Sequence, residues 1–247
     1  MNKGAGKVYC IGLGPGGREQ MTLQALEAIK DSQVIIGYAL YVELISDLLA
    51  GKEVIASAMR QELERCRQAL ELAQTGKKVA LVSSGDPGIY GMAGPLLELN
   101  SREGLDVTIE IVPGLTAASM AGALLGAPLM HDTALISLSD LLTPWEVIEK
   151  RLRLAAEADF VTVLYNPKSN GRPHYIELAR EIFMQHRSLQ TPVGVVRNAS
   201  RPGEEALVTT LDKMLLAEID MTSVVVIGNS QSWQAEGRFI TPRGYVL

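Results

Sequence analysis

Apolar residues fall into short runs along the chain, separated by longer stretches with helical spacing. In the first half the runs are Val8–Ile11, Gln33–Ile36, Lys78–Val82 and Val107–Val112. In the second half they are Ala134–Leu138, Phe160–Leu164, Pro192–Val196, Ala206–Thr209 and Ser223–Ile227. Many are nearly continuous in Val, Ile and Leu, as expected of strands covered on both faces. Amphipathic patterns lie between them. Over Gln61–Gln74, Leu63, Cys66, Leu70 and Ala73 share one face at helical spacing, and Gly76 stands where a glycine would end the helix. This alternation predicts an α/β fold with largely parallel strands. A stretch rich in Gly, Ala and Pro divides the chain into an N-terminal α/β domain (1–112), a short helical linker (113–128) and a C-terminal α/β domain (129–247). A cleft between two such domains is a common ligand site.

Composition narrows the function classes. Aromatic residues make up 5% of the 247, so the core is built from Ala, Val, Ile, Leu and Met. The net charge is −5 and Lys and Arg form no block, which argues against a nucleic-acid partner. Two cysteines, Cys10 and Cys66, can build neither a disulfide framework nor a four-cysteine metal site. No His, Cys and Asp share metal-ligand spacing, so no metal is expected. The opening residues hold no signal-length apolar run, and nothing approaches the roughly 18 apolar residues of a membrane span. A reducing cytoplasm is the expected location.

Chemistry is expected in the loops that follow strands, where α/β proteins bind ligands. Gly12-Leu13-Gly14-Pro15-Gly16-Gly17 formally matches the dinucleotide fingerprint. That fingerprint needs a helix to start at about its second glycine, and Pro15-Gly16-Gly17 starts one poorly. The better N-cap is Thr22. The second run ends in Gly37-Tyr38, where a ribose-binding acid is required, and Gly17-Arg18-Glu19 is no P-loop. The loop is either a tight turn or the lining of a cleft. Ser84-Gly85-Asp86-Pro87 offers close backbone approach at Gly85 and an acceptor at Asp86, or is simply a turn. Thr116 and Ala117 open a helix, with Thr116 as its cap or as a ligand contact. His131 beside Asp132 has the chemistry of an acid–base pair or of a structural histidine. Ser139-Asp140 and Thr143-Pro144 read as helix caps or site residues. Asn166 and Asn198 each follow a strand and carry both donor and acceptor. Lys168, Arg172, Arg197 and Arg201 either face a polyanion or are solvated. No activated Ser or Cys nucleophile is present.

The ordered set GLGPGG, SSGDPGIYG and VPGLTAASMAGALLGAPL resembles the tetrapyrrole methylases, which are S-adenosylmethionine (SAM)-dependent enzymes of two α/β domains with the active site between them. HDTALISLSDLLTPW, VLYNPKSNGRP, PVGVVRNASRPGE, VVVIGNSQSW and FITPRGY resemble the precorrin-3B or cobalt-factor III C(17)-methyltransferase branch, and the likeness runs from Lys7 to Leu247. It implies methylation of ring carbon 17 with contraction of the macrocycle, in cobalamin biosynthesis, by a homodimer. The product from SAM is S-adenosylhomocysteine. It places SAM against Pro15, Ser84, Gly85, Asp86, Thr116, Ala117, Asn166, Ala199 and Thr241. Gly14 and Gly16 of the glycine loop then overhang the macrocycle.

Methyl transfer is an in-line displacement by an electron-rich ring carbon, so alignment and exclusion of water suffice. Contraction adds proton transfers, for which His131, Asp132, Ser139 and Asp140 are the candidates. Arg18, Arg60, Lys168, Arg172, Arg197 and Arg201 are the candidates for substrate carboxylates. The competing readings are a family member acting on another corrinoid, a protein or RNA, and an NAD-binding module. Heat protection by SAM and not by NAD excludes the last.

Overall fold

The computed structural model describes residues 6–169 and 171–246 and divides into two units, Met1–Thr116 and Ala117–Leu247. Asn170 of the VLYNPKSNGRP motif and the two chain ends lie outside the described residues.

The first unit runs β1 (Lys7–Gly12), α1 (Leu23–Asp31), β2 (Val34–Tyr38), α2 (Ala39–Glu43), β3 (Glu53–Ser57), α3 (Glu62–Gln74), β4 (Lys78–Ser83), α4 (Ala93–Arg102) and β5 (Thr108–Val112). Its five-stranded sheet has the order β3-β2-β4-β1-β5, and every pairing is parallel. The Val- and Ile-rich strands are covered on both sides. Val8, Cys10, Val79 and Leu81 pack with α3 and α4, while Ile11, Ile35 and Val82 pack with α1 and α2. In α3 the buried stripe is Cys66, Ala69, Leu70 and Ala73. Leu63, expected on that stripe, lies in the first turn and is 61% exposed. The buried first-turn residue is Arg65, which donates to Ser57 Oγ and the Ala58 carbonyl, each at 2.9 Å.

The second unit runs α5 (Ala117–Leu125), β6 (Gly126–Ala127), β7 (Thr133–Ser137), α6 (Trp145–Glu157), β8 (Val161–Tyr165), α7 (Tyr175–Met184), β9 (Pro192–Arg197), β10 (Glu205–Thr210), β11 (Ser223–Ile227), β12 (Trp233–Ala235) and β13 (Arg238–Ile240). The main sheet has the order β10-β9-β11-β8-β7, and it corrects the expectation of parallel strands. Only β7 and β8 pair in parallel; β11 is antiparallel to both β8 and β9, and β10 to β9. The reason is the connections. Residues 198–204 form a short turn between β9 and β10, and a turn of that length can only reverse the chain. The segment read as a linker also divides. Pro113–Thr116 belongs to the first unit, whereas α5 packs Ala118, Ala121 and Leu125 on the second sheet. β6 joins a small third sheet, pairing with β13.

Candidate active site

In the first unit, β4, β1 and β5 are neighbours, so the loops after them meet at the carboxyl edge of the sheet. Four glycines let these loops interlock. A Cβ on Gly114 would lie 2.1 Å from the Gly85 carbonyl oxygen. A Cβ on Gly12 would lie 2.5 Å from that same oxygen and 2.8 Å from the Gly114 nitrogen. Gly14 and Gly85 exchange backbone hydrogen bonds at 3.2 and 2.7 Å, both in left-handed conformation (φ +75° and +68°). The Asp86 carboxylate completes the lock. Its Oδ1 accepts from the Gly88 amide at 2.8 Å and its Oδ2 from the Gly114 amide at 3.1 Å. Asp86 therefore ties the loop after β4 to the loop after β5. Gly14, Pro15 and Gly16 are buried. Ser84 Oγ lies 3.5 Å from the Gly14 carbonyl, and Thr116 closes the unit just before α5.

The dinucleotide reading fails on geometry. A 3-10 turn, Arg18–Gln20, follows the glycine loop, and α1 begins only at Leu23, capped by Thr22, whose side chain accepts from the Ala25 amide at 3.1 Å. The helix that follows the glycine loop therefore does not begin at its glycines.

In the second unit, β7, β8 and β9 end at one edge of the sheet, because β11 runs antiparallel between β8 and β9. This edge gathers Ser137, Ser139, Asp140, Asn166 and Ala199. Asn166, left-handed at φ +50°, donates from Nδ2 to Ser137 Oγ at 3.0 Å. Ser137 Oγ also accepts from the Ser139 amide at 3.2 Å. The Ala118 amide in the first turn of α5 donates to the Tyr165 hydroxyl at 3.0 Å. Thr241 is buried beside β6, its amide bonded to the Ala127 carbonyl at 3.0 Å and its hydroxyl 2.8 Å from Ser232 Oγ. Ser137 was missed by the sequence reading. Its only signal was its place as the last residue of a strand run, level with Tyr165 in the register.

The four acid–base candidates do not form one cluster. His131 and Asp132 precede β7, and Ser139 and Asp140 follow it. Six steps of extended chain, about 20 Å, separate Asp132 from Leu138, so the two pairs occupy opposite edges of the sheet. The His131–Asp132 pair is open to solvent, with Nδ1 3.8 Å from Asp132 Oδ2. Nor are the cations equivalent. Arg197 is ringed by Glu205, Glu218 and Asp220 at 2.9, 2.7 and 3.8 Å, and its bond to Glu205 foremost pushes its pKa up. Arg172 is 7% exposed, donates to the Leu138 carbonyl at 2.8 Å and faces Asp140 at 3.4 Å. Both are engaged with partners within the protein. Arg18 pairs with Asp47 at 2.9 Å, both exposed. Arg60 is exposed, with left-handed backbone at φ +64°. Lys168 borders a cavity of about 470 Å³ facing Asp220 and Thr222. The Arg201 amide bonds to the Asn198 carbonyl at 2.8 Å.

The family model of the tetrapyrrole (corrin/porphyrin) methylases matches residues 7–215. The chain belongs to this family. It is 52% identical to the probable cobalt-factor III C(17)-methyltransferase of Salmonella typhimurium, over 96% of this chain and 98% of that one. It is 41% identical to the precorrin-3B C(17)-methyltransferase of a Sinorhizobium species, covering 92% and 90%. Some relatives are longer, and the chain covers only 45% and 53% of two of them. Among solved structures, the methyltransferase CobJ superposes with a TM-score of 0.90 at 37% identity, covering 96% of this chain and 100% of that one. The uroporphyrin-III C-methyl transferase of Thermus thermophilus, complexed with S-adenyl homocysteine, gives 0.70 at 27% identity, covering 90% and 97%. The protein is therefore a methyltransferase with the tetrapyrrole-methylase fold.

The residues present fit the methyl donor that this family implies. A Cβ on Gly85 would meet nothing within 4 Å, so a ligand has room to pack on the main chain. The loop beneath is held from below by Gly12, Gly114 and Asp86.

Proposed function

We propose that this methyltransferase methylates ring carbon 17 of cobalt-factor III or precorrin-3B and contracts the macrocycle. The observation that carries this reading is the likeness to the Salmonella relative, nearly complete along both chains. In this reading SAM packs against Pro15, Ser84, Gly85 and Thr116, with Ala117, Asn166, Ala199 and Thr241 contributing from the second unit. Bound there, SAM supplies an electrophilic methyl group on a sulfonium and leaves as S-adenosylhomocysteine. Asp86 acts through the loop it locks. The protein's task is alignment and exclusion of water, since an electron-rich ring carbon is itself the nucleophile. The thiols take no part: burial pushes Cys10 up to about 12 and Cys66 up to about 11. Gly14 and Gly16 overhang the macrocycle, and Arg18, Arg60, Lys168 and Arg201 are the candidates for its carboxylates. Among the described residues no helix is long and apolar enough to cross a membrane. A cytoplasmic homodimer completes the reading, and sedimentation tests the dimer.

The experiment is an anaerobic mass-spectrometric assay with SAM against cobalt-factor III and, separately, precorrin-3B. The expected outcome is gain of one methyl on one of them, with the spectrum of a contracted ring. Methylation without contraction removes the contraction from the proposal, and no methyl gain on either substrate overturns it. In the same assay His131→Ala should proceed at the wild-type rate, because His131 lies at the far edge of the sheet.

A further inference from the structure

The segment after β7, residues 138–144, has no regular secondary structure, yet it is braced from three directions. The Tyr175 hydroxyl donates to Asp140 Oδ2 at 2.7 Å, and the Arg172 Nε lies 3.4 Å from Asp140 Oδ1. The same guanidinium reaches back to the Leu138 carbonyl at 2.8 Å. The Tyr175 ring stacks on Trp145, with centroids 4.2 Å apart and planes at 29°, and its edge meets His174. The hydrogen bond to the Asp140 carboxylate pushes the pKa of the Tyr175 hydroxyl up from its ordinary 10.0. Immediately after Asp140 stand two exposed apolar groups: Leu141, 63% exposed, and Leu142, 97% exposed. A buried arginine, a carboxylate and a stacked tyrosine thus hold a loop whose tip presents two adjacent leucines to solvent.

We propose that Arg172, Asp140 and Tyr175 are positioning residues that hold the 138–142 loop, so that Leu141 and Leu142 pack against the apolar face of the macrocycle. This rests on the tetrapyrrole reading above. It assigns Asp140 a strut's role in place of proton transfer, and leaves Ser139 as the polar group that the loop presents. A macrocycle with an apolar face and carboxylates at its rim is the chemistry that an apolar tip would recognise at the sheet edge whose other loops carry Lys168 and Arg201.

The test uses Tyr175→Phe, which keeps the ring stacking, Asp140→Asn, which keeps an acceptor, and Leu142→Ser, which changes only an exposed side chain. Methyl transfer is measured with cobalt-factor III or precorrin-3B, whichever the wild type methylates. All three variants are expected to raise the substrate KM about tenfold, the loss that follows from one charge-assisted bond or one buried leucine. The kcat at saturating substrate should stay within about twofold and SAM affinity should be unchanged, while Tm should fall in Tyr175→Phe and Asp140→Asn, which lose a bond made in the fold, and hold in Leu142→Ser. Amide exchange over 138–145 should accelerate about tenfold in Tyr175→Phe and Asp140→Asn, and stay unchanged in Leu142→Ser. Loss of kcat in Asp140→Asn at unchanged KM would make Asp140 catalytic and overturn the proposal. Wild-type KM in Leu142→Ser overturns the macrocycle contact, and unchanged exchange in the other two overturns the brace. If the wild type methylates neither substrate, the function reading falls by itself, while exchange still decides the brace.

Discussion

Asp86 is the residue on which the first unit's loops converge. Its two carboxylate oxygens accept one amide from its own loop and one from the loop after β5. Asp86→Ala leaves both amides without that partner, and the expected cost is about 1–2 kcal/mol, with SAM affinity falling about tenfold. Isothermal titration with SAM and a urea titration check the two effects separately. The glycines make a sharper comparison. Gly85→Ala meets no neighbour but must hold φ +68°, which costs about 1 kcal/mol. Gly114→Ala places a carbon 2.1 Å from a backbone oxygen, and the loops must part to admit it. It should lower the urea midpoint well beyond Gly85→Ala and abolish SAM binding. Equal midpoints in the two variants would contradict the interlock. Asp86 and Gly85 were legible in the sequence as loop residues after a strong strand. The partner of Asp86 was not, because Gly114 is 28 residues away and only the adjacency of β4, β1 and β5 brings it near.

At the scale of elements, strand direction follows the expectation in the first unit and departs from it in the second. Thr22 caps α1 as expected, and Thr22→Ala should cost about 1 kcal/mol, seen as a lower urea midpoint at unchanged slope. A strand's apolar run reads the same in either direction, so the runs at Ala206–Thr209 and Ser223–Ile227 were placed correctly while their orientation was not. Orientation is decided by what connects the strands. The exposed edge strand β3 and the two- and three-residue strands β6, β12 and β13 are too short or too polar to leave a periodic signal. Gly126–Ala127 becomes a strand only because Phe239–Ile240 lies alongside it, more than 100 residues later.

For the whole molecule, the charge balance concentrates in a network on the first sheet. Lys7 pairs with Glu110 and sits 4.4 Å from the centre of the Tyr9 ring. The Tyr9 hydroxyl donates to Asp31 at 2.6 Å, and Lys78 pairs with Asp31 at 2.7 Å. Lys78, then Tyr9, hold the Asp31 carboxyl below its ordinary 3.8, and Lys7 holds Glu110 below 4.5. These depressed groups stabilise the fold above about pH 4.5, and that contribution disappears as pH falls through their lower folded values. Glu110 raises Lys7 and Asp31 raises Lys78 above 10.5, while Asp31 raises Tyr9 above 10.0. Their contribution is complete below about pH 10 and disappears as pH rises through the raised values. The urea midpoint should therefore be flat between about pH 5 and 8.5 and decline on both sides, the buried thiols of Cys10 and Cys66 adding to the alkaline decline because burial raises them from 9.0. Partial exposure keeps the network's share of the amplitude small. In Asp31→Asn the acid-side and alkaline declines should both shrink.

Taken alone, the sequence determined where most strands of the two main sheets form. It also determined which loops carry small and polar residues, and its ordered motifs named the family. Those properties are local, because hydrophobic periodicity, cap residues and glycines act over a handful of neighbouring positions. Only the tertiary structure decided which loops touch. It set His131 and Asp132 at the opposite edge from Ser139 and Asp140, and it enclosed Arg197 among three acids. It also turned Arg172 inward to brace a loop. A side chain's role depends on the groups that strand order and direction bring to it, and those depend on pairings between residues far apart in the chain.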